Sequence, residues 1–212
     1  MQKYESLGET TTGGKDHVSF HDACVAGLRG VDRCDPAFAH APETRTIQLE
    51  LFGVPLKGAT RTELRAAILR GGLKPIRVDD HYIADEYDPR GVLAGASELI
   101  VNYTDDRTQQ FAIASYKFDG FMDVGLVTKV ERLVASKYGP PDHRSGDPNL
   151  GPVDYRWYFP GGMMIEVGRD WPDTTTFLDY TDNAAWAKLK TEAAADKAAR
   201  ERAKAKAESS AF

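Results

Sequence analysis

The sequence predicts an α+β protein in which two αβββ repeats form one curved antiparallel sheet, with helices packed on one side. Two observations predict it. An amphipathic stretch from Val124 to Tyr138 runs into Gly139-Pro140-Pro141, and three strand-like runs follow at 153–159, 163–167 and 174–180. Upstream, a shorter capped helix around Leu64 is likewise followed by strand-like segments. One helix and one small meander cannot bury their apolar faces alone, so two such units are expected to share a core.

Composition sets the outer limits. At 212 residues, 42% apolar and 28% charged, the chain has the make-up of a globular domain with one good core. No run approaches the roughly 18 consecutive apolar residues of a membrane helix, and no membrane span is expected. Between Lys188 and Glu208 seven Lys and Arg residues stand against four Asp and Glu, so the remainder is more acidic than the formal net charge of −5 suggests. An acidic body opposes general binding to phosphate backbones, which rests on clustered cations. Nucleic acid is therefore an alternative partner only through the basic C-terminal helix.

Residues 1–45 are rich in Gly, Thr, Asp and His without periodicity and read as a leader or arm, poorly ordered unless docked. Charged residues interrupt every apolar run there, so the segment as written is not a signal peptide. The expected compartment is the cytoplasm, with the periplasm as the alternative. His17, His21, Cys24, Cys34 and His40 are zinc-compatible residue types, but their spacing matches no structural zinc pattern. Two cysteines are too few for a disulfide scaffold, and a Cys24–Cys34 bond is left open.

The globular part is expected to span 46–183. Ile47, Leu49 and Leu51 alternate with polar residues as in a half-buried strand. Thr60-Arg61-Thr62-Glu63 is a capping box, in which hydroxyl and carboxylate satisfy each other's backbone amides. Leu64, Ala67 and Ile68 continue the helix, and Gly71-Gly72 stops it. From Ile76 to Asp88 charge is dense on both faces, which reads as an edge strand or extended loop. Segments 98–103 and 110–118 form a hairpin. In the second unit Leu126, Val127, Val130, Leu133, Val134 and Tyr138 recur at helical spacing behind an Asp123 N-cap. Val153, Tyr155, Trp157 and Phe159 then alternate with Asp154, Arg156 and Tyr158, which puts the first set in the core. Beyond residue 183 Ala, Lys, Glu and Arg dominate, predicting a helix that Trp186 and Leu189 dock and that projects over 184–212.

Lys137-Tyr138-Gly139-Pro140, an aromatic strand, a glycine turn, Met164-Ile165-Glu166-Val167 and the closing Phe177-Leu178-Asp179-Tyr180 carry a resemblance. The pattern over about 46–183 resembles the helix-plus-meander modules of β-lactamase-inhibitor-protein-like folds. It is also similar to small outer-membrane lipoproteins of the barrel-assembly machinery. The resemblance implies export and action by binding other proteins, and it transfers no individual site residue.

Function reads first as protein binding, by an adaptor or inhibitor that is not an enzyme and uses no cofactor. Tyr158, on the polar side of its strand, and Trp171, in a turn, are the expected anchors, together with Tyr82 and Tyr87. The enzyme alternative is a divalent-cation-dependent hydrolase using the acidic cluster at 79–88. On one extended strand Asp79, His81 and Asp85 would face the same way and offer two carboxylates and an imidazole. His143 and Asp142, neighbours in a loop, lack a nucleophile turn to serve.

Overall fold

The computed structural model describes residues 46–120, 123–172 and 174–209. The arm at 1–45, with its histidines and cysteines, lies outside the described residues.

A short hairpin opens the described chain, pairing β1 (Glu50–Leu51) with β2 (Val54–Pro55). Its two central residues, Phe52 and Gly53, both take positive φ, +50° and +76°. That is the turn geometry whose twist suits a two-residue hairpin. For phenylalanine it is a strained conformation. The packing of its ring shows what holds it there. A Cβ placed on Gly71 would lie 2.3 Å from the Phe52 ring, so the ring seats on a surface only glycine can offer.

The capping box is present at the start of α1 (Arg61–Arg70), with Thr60 N donating to Glu63 Oε2 at 2.9 Å. Four strands follow: β3 (Lys74–Arg77), β4 (Ala84–Asp88), β5 (Ala96–Tyr103) and β6 (Phe111–Phe118). The second unit repeats the order, with α2 (Val124–Tyr138) leading to β7 (His143–Gly146), β8 (Val153–Phe159), β9 (Met163–Arg169) and β10 (Thr176–Asp182). All eight strands from β3 onward form one antiparallel sheet in the order β3-β4-β5-β6-β10-β9-β8-β7. The two meanders thus meet at their last strands, β6 against β10, with Phe118 opposite Thr176 and Ile113 opposite Thr181.

The α+β class and the antiparallel sheet are as the sequence predicts, and each half carries a fourth strand. Both additions are edge strands of four residues, Lys-Pro-Ile-Arg and His-Arg-Ser-Gly. Neither has a buried face to impose alternation, so periodicity cannot find them. The acidic stretch from Ile76 to Asp88 is accordingly not one strand. Its ends belong to β3 and β4, and 78–83 is the connection between them.

One core spans both halves. Leu64 and Ile68 of α1 and Val127, Val130 and Val134 of α2 pack on the same sheet face, with Leu99, Tyr116, Trp157, Ile165 and Leu178. Trp157 is fully buried, and its indole N–H donates to the Gly139 carbonyl at 2.8 Å, tying the end of α2 to β8. α3 (Asn183–Ser209) starts where Asp182 Oδ1 accepts from the amides of Ala184 and Ala185 at 3.1 and 3.3 Å. Leu189 docks it on Ile83 and Ala112, in a small cluster apart from the main core. From Lys190 onward no described residue of α3 is buried. Among the described residues no helix is long and apolar enough to cross a membrane.

Candidate functional site

The sheet face turned away from α1 and α2 carries the charge. Register and alternation place a single transverse row across all eight strands. It runs Arg77, Glu86, Ile100, Ser115, Asp179, Glu166, Arg156, His143, each directly opposite the next. The row crosses from one half to the other at Ser115 and Asp179, where the Ser115 hydroxyl donates to the Asp179 carboxylate. Two carboxylates, Asp179 and Glu166, then sit side by side on neighbouring strands. Arg156 answers the second, with Nη2 at 3.1 Å from Glu166 Oε1. It also reaches Asp154, which His143 Nε2 approaches at 3.8 Å.

This half-buried setting perturbs the acids. Burial, reinforced by Glu166 and Asp170 and opposed by the Ser115 hydrogen bond, pushes the Asp179 carboxyl up to about 7. Burial raises Glu166 as well, with Arg156 pulling the other way. Like charges on adjacent strands disfavour joint ionisation. Asp179 therefore titrates near neutrality on a face that is otherwise charged.

Next to the row, Phe177 lies opposite Gly168 with its ring across the glycine. A Cβ at Gly168 would come within 2.4 Å of Phe177 Cζ. An aromatic ring covering a strand glycine restores packing that the glycine lacks. Gly168→Ala is expected to destabilise the protein by roughly 1–3 kcal/mol through overpacking, read from the urea midpoint. A midpoint equal to that of the parent protein would show that Phe177 swings aside freely.

The sequence-selected residues separate in space. Tyr158, 44% exposed on the charged side of β8, and Trp171, 63% exposed in the β9–β10 connection, both stand at the surface. They lie toward opposite ends of the strands of the second half, Tyr158 opposite Met164 near the start of β9 and Trp171 beyond its end at Arg169. Tyr82 is half-buried at the opposite edge of the sheet, under the Arg77 guanidinium at 4.2 Å and against the His81 ring. Tyr87 must be corrected: it is fully buried in the main core and offers no surface. Its strand turns this face toward α1, which the dense charge of the neighbouring residues conceals.

The proposed cation ligands are also divided. Asp79 and His81 are exposed in the 78–83 connection, where Asp79 Oδ1 accepts from the His81 amide at 2.8 Å. Asp85 points into the interior and is wholly buried. Arg61 grips it with Nη2 at 2.6 Å and Nε at 3.2 Å, and Arg65 with Nε and Nη2, each at 2.8 Å. Burial alone would raise the Asp85 carboxyl, but the hydrogen bonds from Arg65 and Arg61 outweigh it and hold the group below its ordinary value. Both carboxylate oxygens are thus committed to two guanidinium groups on one helix. Among the described residues no group of three or more His, Cys, Asp or Glu is placed to hold a metal ion. Arg61 and Arg65, four apart on α1, were the sequence signal for this arrangement, since that spacing puts both on one helical face.

Fold and face together define an α+β protein built on an eight-stranded antiparallel sheet, apolar under its helices and charged on the other side. No family model matches the sequence, and no curated protein matches it. Among solved structures the chain is similar to the DUF4309 family protein YjgB from Bacillus subtilis subsp. subtilis str. 168. The two are 17% identical, with a TM-score of 0.36 over 63% of this chain and 86% of that one.

Proposed function

We propose that this protein is a non-enzymatic binding module, an adaptor or inhibitor, that engages another protein through the charged sheet face of its second half and the adjoining β9–β10 turn. The observation that carries the reading is the pair of exposed aromatics, Tyr158 and Trp171, flanking the strip formed by Arg156, Glu166 and Asp179. Large aromatic side chains on a rigid frame are the typical energetic centres of interfaces. Anchors toward opposite ends of β9 suit a partner that covers a broad surface, such as the ~800 Å² per side of a standard interface, rather than a small ligand. Acid outnumbers base around the strip, with Asp154, Glu166 and Asp170 against Arg156 and Lys117, and Asp179, raised to about 7, adds partial negative charge near neutral pH. The partner surface is therefore one that presents basic side chains, and association weakens with salt.

The test is affinity capture with the intact chain, followed by titration of the purified partner. Trp171→Ala and Tyr158→Ala are each expected to weaken binding by roughly tenfold or more, as anchor residues do. Retention of the same partner at unchanged affinity by both variants would remove this reading.

A further inference from the structure

The opposite side of the sheet holds a second feature, which the charged face does not involve. A cleft of about 320 Å³ opens between the two halves, on the apolar side. Its floor is the seam between the meanders, formed by Tyr116 of β6 and by Leu178 and Tyr180 of β10. One wall is the last two turns of α2, with Leu133, Val134 and Tyr138. The other wall comes from the β1–β2 hairpin and the β4–β5 connection, through Phe52, Val92 and Leu93. Five segments thus converge on a space that the rest of the described core does not fill.

We infer that this cleft is a binding site for a small, neutral, ring-bearing apolar molecule. Three observations support that class of ligand. Protein interiors are packed to crystal-like density, and a cleft of this volume lies within the range of ligand sites while exceeding an ordinary packing defect. Its rim is open and mixed, with the exposed apolar side chains of Leu133 (50%) and Val92 (46%) beside exposed Ser136 and Lys137, so an apolar body gains contact with the two apolar side chains. Phe52, held in a left-handed conformation by its seat on Gly71, lends an aromatic wall at the mouth. Backbone strain of that kind gathers at ligand-contacting positions.

Charge decides between neutral and ionic ligands. Among the described residues the charged side chains lining the cleft are Lys137 and Glu50, which balance, and Lys137 Nζ already lies over the Tyr138 ring at 4.9 Å. The floor is phenolic: Tyr116 and Tyr180 meet edge to face with centroids 6.4 Å apart. Burial, with Tyr138 and Tyr116 close by, pushes the Tyr180 phenol upward, and burial does the same to Tyr116. Both remain neutral, offering ring faces and hydroxyl groups without a charge. Such a lining rewards a flat apolar molecule of about two or three rings, the size this volume admits.

The experiment uses 1-N-phenylnaphthylamine, a neutral probe whose fluorescence rises in apolar surroundings, titrated into the full chain. Saturable one-to-one binding is expected. Leu133→Glu and Val92→Glu, both at exposed positions that folding does not require to be apolar, place a carboxylate on opposite walls. Each is expected to weaken binding by roughly tenfold. Leu150→Glu, on the exposed β7–β8 connection, is expected to bind as the parent does. Non-saturating fluorescence, or unchanged binding by both rim variants, overturns the assignment. Circular dichroism of each variant establishes that it is folded before titration.

Discussion

Asp85→Ala is expected to destabilise the protein by about 3–5 kcal/mol, the cost of stranding buried cations without their counter-charge. Arg61 is only 2% exposed, and among the described residues Asp85 is the carboxylate it pairs with. Total stabilities of domains lie at ~5–15 kcal/mol, so the variant should sit close to unfolding at 37 °C. Arg65→Ala is the informative companion, because Arg65 is partly exposed at 21% and its loss leaves the Arg61–Asp85 pair in place. A smaller loss is expected there. The consequence extends to the connection at 78–83, since Arg61 also donates to the carbonyls of Asp79 and Tyr82 at 2.9 and 2.8 Å. Amide exchange across that connection should quicken in an Arg61→Met variant. Urea titration decides the matter: a change below ~1 kcal/mol for Asp85→Ala would mean that water reaches the pair and screens it.

The second large effect depends on pH. The Asp179 carboxyl is raised from an ordinary value of 3.8 to about 7 in the folded chain. Between those two values the folded state holds a proton that the unfolded state has released, so stability falls as pH rises. The contribution is fully present below about 4 and lost once pH passes about 7. Asp179→Asn removes the titration while preserving an acceptor for Ser115. It is expected to be more stable than the parent by roughly 2 kcal/mol at pH 8, a figure reduced for partial exposure, and to converge with it near pH 4. Glu166 is raised too and adds to the slope in the same direction. Asp88, held at about 2 by hydrogen bonds from Arg90, acts only below this window, where its contribution is lost on acidification. Thermal midpoints from pH 4 to 8 provide the measurement. Parallel curves for the two proteins would show that Asp179 ionises freely.

The sequence was most informative where one face of an element is buried and the other is not. α2 occupies Val124–Tyr138 as the helical spacing indicates, because Leu126, Val127, Val130, Val134 and Tyr138 are buried against the sheet and Gly139 ends it at φ +78°, while Leu133 of the expected stripe is exposed. Tyr155 and Trp157 are buried and Tyr158 is exposed for the same reason. The edge strands escaped notice because exposure on both sides leaves no pattern. Asp85 and Tyr87 were misplaced because pairing across elements does not register in local charge: a carboxylate beside His81 and Glu86 looks solvated until Arg61 and Arg65 are brought over it. The row through Ser115, Asp179, Glu166 and Arg156 was legible residue by residue, each as the polar position of its strand. Its continuity was not, since that depends on register and on the joining of β6 to β10.

That joining also fixes an order of events during folding. Every other strand pair in the large sheet links neighbours in the chain, closed by a turn or short connection, whereas β6 and β10 are separated by the whole of the second unit. Short closures are entropically cheap and fast, and long ones must wait for structure that rewards them. Strand pairing within each meander can therefore begin locally, while the shared core is completed only when the two units meet along the seam. The charged row becomes continuous and the cleft acquires its floor at that same late step, so both surfaces exist only in the fully assembled molecule.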